Sequence, residues 1–593
     1  MVKENKHGKQ RSYWHRRRRL MMAVLLVLTI LAAVVKTASR LHIGNTPKAL
    51  KMTKKVAASN PAAVFDSHHP QERAILEGKY FLIDIDVMFG ALSSKSTRHN
   101  HHHTNTNKTD SNSHYGAVTA TFCPLDWRLQ KTSPATVPMF RVLVAQSTHC
   151  ASNRVTMDLR EIVKKARLYD KAAEEAAAKR KSAAAEAAAA GNKKKSPTPG
   201  VGGIIAGASS NTIPSTPVKT LQLGGFVFHE SRCGSTLVSN LLVASNPQAH
   251  RVYSESSPPI TALRACPVGD LSCSIPKQTS LLHDVVYLMS RSQARDETHV
   301  FFKIQSVGAH SMAAITQHAF PTTPWIFVYR DPVEVIMSHL KHGGDAAKKA
   351  VCLRTKGRSP VNVVQLIKDK APQKELKDLT NVEYCAAHLA TLCQSALKVY
   401  HADDGVDVDH PEEQKKKKDS NDEDEGNNNN NNSNNKGKMV NYASLPDIMW
   451  ESILPDHFDM DLPSHTTEMV DRMKAMSQVY SKAFKGDRPW EQDSERKQDG
   501  ATNAMKKAAT LFLTSYFEQM EATNNGDNND GEENDDATTT NDTKNKEDVD
   551  AEAEAKDAAD FDADVAAADV ADADVDVAAD VAAADVAAEA DTR

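Results

Sequence analysis

The spacing of apolar residues changes character several times along this chain of 593 residues, and each change predicts an element. Apolar and polar positions alternate through Lys79-Tyr-Phe-Leu-Ile-Asp-Ile-Asp-Val-Met-Phe89, the period-two pattern of a strand with one buried face. Helical spacing predicts a helix over Met157–Tyr169, and Val137–Val144 joins the same ordered subregion. From Leu221 onward, short apolar runs take turns with helical patterns. Strands are expected at Gly225–His229, Arg251–Ser254, His299–Ile304 and Trp325–Tyr329. Helices are expected at Ser235–Ser245, with Leu237, Leu241 and Leu242 on one face, and at Ser280–Ser290, Met312–Phe320 and Val333–Leu340. A long helix over Val382–Tyr400, a returning strand over Lys438–Tyr442 and helices near Leu445–His457 and Thr466–Ala483 complete the pattern. Such alternation argues for an α/β fold with a parallel sheet covered by helices on both faces.

Other stretches carry no such period. His99–Asn107 is a His/Asn/Thr run, Lys171–Lys195 an Ala/Glu/Lys block, and Asp403–Asn435 is charged and then almost pure asparagine. From Ala522 to Arg593 the chain is acidic and repeats Ala, Asp and Val. These segments gain too little apolar burial to offset the entropy of ordering them, so they are expected to be disordered or solvated spacers. The His99–His103 tract is read the same way, as a low-complexity loop and not a metal site. The resulting division is 1–19 basic tail, 20–35 membrane anchor, 36–71 stem, 72–170 ordered subregion and 171–220 helix and linker. A catalytic domain at 221–521, with an insertion at 403–437, and a tail at 522–593 follow.

Charge sharpens this picture. The net charge of −3 conceals a strongly basic start and a strongly acidic end. A basic terminus alone suggests nucleic acid, but Arg16-Arg-Arg-Arg19 abuts the uncharged run Leu20–Val35, which ends at Lys36. Cations beside a membrane helix stay cytoplasmic, which predicts a single-pass type II protein with a lumenal remainder and no nucleic-acid partner. At 1.5 Å per residue the run spans about 24 Å, suited to the thinner early-secretory membranes. A cleaved signal peptide with a poor cleavage site at Thr37-Ala-Ser39 is the competing reading. Eight cysteines suit a lumenal domain with disulfides. Cys266 and Cys273 flank a turn and can close a small loop, and Cys123 and Cys150 bracket the segment before the core. Cys385 and Cys393 are too far apart on one helix to bridge each other, so each either pairs with Cys352 or stays free. No zinc-type CxxC spacing occurs, so no metal is expected. Asn107-Lys-Thr109, Asn431-Asn-Ser433 and Asn541-Asp-Thr543 are glycosylation acceptors.

Candidate chemistry gathers at two turns. His229-Glu-Ser-Arg-Cys-Gly234 joins a strand to a helix that starts with Ser235 and Thr236, where free backbone N–H groups and the helix dipole favour an anion. An ATPase loop requires G-x-x-x-x-G-K-[ST]; here His229 replaces the first glycine and Ser235 the lysine, while Arg232 offers a fixed, forked charge. The second turn, Tyr329-Arg-Asp-Pro332, ends another strand, and Ser338 follows two helical turns later. Arg330 and Ser338 together suit a second phosphate. A salt bridge from Arg330 to Asp331 or Glu334 is the structural alternative.

With these residues in view, the chain resembles the sulfotransferase family, particularly its Golgi members acting on carbohydrates or on protein tyrosine. Ser231-Arg-Cys-Gly-Ser-Thr236 matches the family's P-R-S-G-T-T loop, with Ser231 in place of the proline and Cys233 in place of the first serine. Arg330-Asp-Pro332 with Ser338 matches its R-[DN]-P motif. The resemblance implies a P-loop-type sheet that binds PAPS (3′-phosphoadenosine 5′-phosphosulfate) as co-substrate. It places the 5′-phosphosulfate at Ser231, Arg232, Cys233, Gly234, Ser235 and Thr236, and the 3′-phosphate at Arg330 and Ser338. It also places Tyr442 near the nucleotide. Arg232 and Glu255 are the candidate catalytic residues. Arg232 stabilises the moving group, and Glu255 in Tyr253-Ser-Glu255 acts as base, as in the family's tyrosylprotein members. His229 and His310 are reserve bases, and Lys303 either contacts the sulfonate or packs. The implied function is transfer of a sulfuryl group to a hydroxyl of a glycan or protein in the Golgi lumen. A P-loop kinase or NTPase, disfavoured by the missing lysine, and a non-catalytic nucleotide- or glycan-binding protein are the alternatives.

Overall fold

A computed structural model describes residues 69–88, 91–92, 115–190, 218–266, 272–340, 350–402, 436–460, 467–479 and 493–526. All lie within one of the chain's two units, Phe65–Arg593. The apolar run Leu20–Val35, the His tract, the asparagine-rich segment 403–435 and the three glycosylation triplets lie outside the described residues. No described helix is long and apolar enough to cross a membrane.

The first subregion is a three-stranded antiparallel sheet of β1 (Phe81–Val87), β2 (Val118–Cys123) and β3 (Val155–Asp158), with β2 in the middle. The strand expected from the alternation at residues 79–89 is β1. The helix expected from Met157 begins two residues later, because Met157 and Asp158 extend β3. It then continues through the alanine block as one helix, Leu159–Ala190, since neither Gly nor Pro interrupts it. Leu159, Ile162, Val163, Ala166 and Tyr169 are buried at helical spacing, and beyond Tyr169 no described side chain is buried. Val137–Val144 contributes a helix, Phe140–Gln146.

The parallel sheet follows. Two short strands, β4 (Lys219–Thr220) and β7 (Arg291–Ser292), pair antiparallel at its margin. The five main strands are β5 (Gln222–His229), β6 (His250–Ser254), β8 (His299–Lys303), β9 (Trp325–Tyr329) and β10 (Gly437–Asn441). They run parallel in the order β10-β9-β5-β8-β6. Burial on both faces explains why these strands read as unbroken apolar runs. Phe226, Phe228, Trp325, Phe327 and Tyr329 share one core with the helices Ile275–Ser290 and Asn381–Ala402. Val227, Ile326, Val328 and Val440 lie on the other side with the helices Ser235–Ser245 and Thr467–Ser477. At the edge strand β6, Gln130 from the helix Trp127–Thr132 donates to the Val252 carbonyl at 2.9 Å, satisfying a group the sheet leaves unpaired.

Several expected helices differ in form. Ile275–Ser290 begins five residues before Ser280, with Pro276 in its first turn, where the missing N–H costs nothing. Met312–Phe320 is instead a 3₁₀ segment, Ser306–Ser311, followed by a π turn, Ala314–Ala319. Leu445–His457 is a wide π segment, Met449–His457, that contains Pro455. The last helix, Thr514–Gly526, runs past Ala522, where the acidic tail was expected to begin. Disulfides join Cys123 to Cys150, Cys266 to Cys273 and Cys352 to Cys385, leaving Cys233 and Cys393 free and buried.

Topology fixes the site. The chain leaves β5 toward β6 on one side and leaves β9 toward β10 on the other. The β5–β9 boundary is therefore a switch point, outside whose carboxyl ends ligands collect in open parallel sheets.

Candidate functional site

The turn after β5 is built from unfavourable backbone. Ser231 (φ 86°) and Arg232 (φ 58°) are left-handed although neither is glycine, and Gly234 (φ 89°) completes the turn. Such residues cost about 1–3 kcal/mol each and persist only where neighbours hold them. Here the Ser231 N–H donates to His229 Nδ1 at 3.1 Å, and the Cys233 thiol donates to the Val328 carbonyl at 3.0 Å. The thiol is thus turned into the sheet, and burial pushes it up to about 12. Cys233 can serve a ligand only through its backbone. Its side chain offers less than a cofactor contact was expected to, because it fills the space between loop and β9. Ser235 is buried and Thr236 half-buried, and the helix they begin, Ser235–Ser245, has no side-chain cap at Gly234. Arg232 Nε is buried with no hydrogen-bond partner.

The second group stands at the ends of β6 and β8. Glu255 follows β6 with φ 57°, and its N–H donates to the Lys303 carbonyl at 2.8 Å. Lys303 ends β8, is 1 % exposed and forms an ion pair with Glu255. His229 Nε2 lies 3.6 Å from Glu255 Oε1. Burial pushes the Glu255 carboxyl up, but Lys303, His229 and Arg141 outweigh it and hold it at about 2. Burial and then Lys303 press His229 down to about 3, so its ring is neutral. Because Nδ1 accepts from Ser231, the ring proton sits on Nε2, facing Glu255. Neither nitrogen is then free to act as the reserve base expected of His229. The other reserve, His310, contacts Asn362 through Nδ1 at 2.8 Å and the ring of His388 at 5.9 Å; burial and then His388 lower it to about 3.

The third group follows β9. Arg330 donates from Nε to Glu334 at 2.5 Å and from Nη2 to Asp493 at 2.8 Å, and its guanidinium lies 4.1 Å over the Tyr442 ring. Of the two carboxylates weighed as structural partners, Glu334 is taken; Asp493, from 163 residues away, is a partner that no local pattern announces. The Tyr442 ring is pressed against the first loop: a Cβ on Gly234 would stand 2.3 Å from its Cδ2. Tyr442 therefore touches both turns, and the structure brings Ser231–Thr236, Arg330 and Tyr442 together. Ser338 is buried on the helix Pro332–Leu340. Lys497 pairs with Asp493 at 3.0 Å; burial and then Arg330 lower its ammonium to about 8.

Two other features fall elsewhere. His339, Cys352 and Cys385 cluster within 4.8 Å, but the two sulfurs are bonded to each other and offer no thiolate to a metal. A groove of about 870 Å³ lined by Leu221, Ile275, His283, Asp284 and Phe320 opens at the amino ends of the strands, away from every residue above. No protein-family model, curated protein or solved structure matches this chain.

Proposed function

We propose that the chain is a PAPS-dependent sulfotransferase that acts on a hydroxyl of a glycan or protein in the secretory pathway. The observation that carries this reading is the buried, unpartnered Arg232 Nε in a turn that opens an uncapped helix. A buried polar atom with no partner calls for an explanation, and an oxyanion bound in the turn supplies one. The motif resemblance gives the anion its identity. The Tyr442 ring against the turn suits a nucleotide, and three disulfides suit an oxidising compartment, whereas Arg330, expected to hold the second phosphate, is already paired with Glu334 and Asp493. On this reading Leu20–Val35 anchors a single-pass type II protein in the Golgi membrane.

PAPS supplies an activated sulfuryl group: the acceptor oxygen forms a new S–O bond as the bond to the 5′-phosphate breaks. Arg232 and the start of the helix Ser235–Ser245 meet the charge on that group. Glu255, ionised at neutral pH, takes the acceptor's proton. A carboxyl held at about 2 is a weak base, and the Lys303 ion pair is one cause. Lys303 is drawn to the donor's negative charge, which loosens that pair and strengthens the base as the ligand arrives.

Calorimetry with 3′-phosphoadenosine 5′-phosphate (PAP) and with ATP tests the proposal. Binding of PAP at least ten times tighter than ATP is expected. A chain that binds ATP and ignores PAP is not a sulfotransferase.

A further inference from the structure

The side chain of Glu230 has no part in the chemistry above, yet it lies in the seam between the two turns. It is 1 % exposed. Its N–H donates to the Val328 carbonyl at 3.0 Å, and its Oε2 accepts the Arg330 backbone N–H at 3.2 Å. The buried Cys393 thiol, on the helix Asn381–Ala402, lies beside it. The first residue beyond β5 thus holds the first residue beyond β9 across the switch point. We propose that Glu230 is a positioning residue that clamps the Arg232 turn to the Arg330 turn as an uncharged acid. The proposal rests on the sulfotransferase reading, in which one nucleotide lies across the two turns.

The charge state follows from the surroundings. Burial pushes the Glu230 carboxyl up to about 8, against the Arg330 N–H and the Cys393 thiol, which lower it, while Asp331 adds to the rise. The groups facing it are Asp331, the Arg330 guanidinium and the two buried thiols, Cys233 and Cys393, both raised and neutral. The Arg330 guanidinium does not answer a charge there, because Glu334 and Asp493 already hold it. A carboxylate under two anion-binding turns would repel the ligand and pull at Arg330; a carboxylic acid does neither.

The test is PAP affinity by calorimetry at pH 7 and pH 9, for the full-length wild type and for Glu230→Gln, a neutral mimic of the acid. The second ionisation of a phosphate lies near pH 6, so the ligand's charge is constant across this range. Lys497 titrates in the same window in both proteins, so the readout is the difference between them. At pH 7 the two should bind alike. By pH 9 the wild type should lose about tenfold more affinity than the variant, the size of an ordinary site-to-site coupling. Parallel pH profiles overturn the clamp and leave the nucleotide reading intact, whereas a wild type that ignores PAP at pH 7 sinks both. A Glu230→Gln chain that cannot fold at pH 7 also counts against the proposal, and Glu230→Met then decides the matter. It is neutral but cannot accept the Arg330 N–H, so it must bind PAP more weakly than wild type at pH 7.

Discussion

At the scale of single residues, the informative pair is Glu255 with Lys303. Both were visible in the sequence as strand-end residues, but their pairing was not, since 48 residues separate them. The pairing changes what is expected of the base. A base must be ionised to act, so activity is present above its pKa and lost below it. With Glu255 held at about 2, kcat/KM should stay level on the acid side until the fold itself fails. Lys303→Met removes the opposing charge and leaves burial less opposed, so the carboxyl rises and an acid limb should enter the profile. Turnover should fall by about 100- to 10,000-fold in Glu255→Gln, while PAP affinity is kept or rises because Lys303 is released. Labelled-sulfate transfer across pH measures both, and a Lys303→Met profile that overlays wild type removes the ion pair from the mechanism. The same pair makes a stability statement. The Glu255 carboxyl is depressed from 4.5, so its contribution is present above 4.5 and lost as pH falls through about 2. His229 shows the limit of sequence reading at this scale, because its tautomer is set by one backbone N–H and composition cannot reveal it.

The elements themselves were largely legible. Strands β5, β6, β8, β9 and β10 lie where the apolar runs placed them, because burial on both faces writes an unbroken signal. The irregular segments are hidden from the sequence for a local reason: Ala314–Ala319 and Met449–His457 keep a helical spacing of apolar residues while widening the turn. The turn after β5 was recognised by its residue types, but its left-handed Ser231 and Arg232 were not, since both residue types prefer other conformations. Gly234 is the position in that turn where geometry leaves no choice. Its φ of 89° and the Tyr442 ring, 2.3 Å from where a Cβ would stand, both oppose a side chain. Gly234→Ala should cost about 1–3 kcal/mol of stability and weaken PAP binding by tenfold or more. Adding Tyr442→Ala removes the clash but not the backbone strain. A denaturation double-mutant cycle should therefore return part of the loss, and strict additivity would show that the ring does not press on the loop.

At the scale of the whole molecule, the order β10-β9-β5-β8-β6 rests on contacts that no local pattern carries, and so does the core that the antiparallel subregion shares with the parallel sheet. One side chain joins these parts. Arg291, at the end of the helix Ile275–Ser290, is 2 % exposed. It donates to Asp170 at 2.6 and 2.9 Å and to the carbonyls of Ile75 and Leu76 at 2.9 and 2.6 Å. Asp170 belongs to the helix Leu159–Ala190, and the two carbonyls end the helix Pro70–Leu76, so one guanidinium satisfies groups from two other elements. Tyr287 also donates to Asp170 at 2.6 Å and would remain when Arg291 is removed. Arg291→Met keeps the apolar stem but leaves the half-buried Asp170 carboxylate with a single neutral donor and the Leu76 carbonyl without its guanidinium, while the Ile75 carbonyl keeps the Gly78 N–H at 3.0 Å. The loss of one partner of a buried ion pair costs about 3–5 kcal/mol, and less where the other partner reaches solvent as Asp170 does, so a clear drop in the denaturant midpoint is expected. Hydrogen exchange should locate the damage: β1–β3 lose protection first, while β5, β8 and β9, buried in a separate sheet, keep theirs. A midpoint shift worth less than about 1 kcal/mol would mean that the apolar contacts around Ile75, Leu76 and Tyr169 suffice to hold the subregion without it.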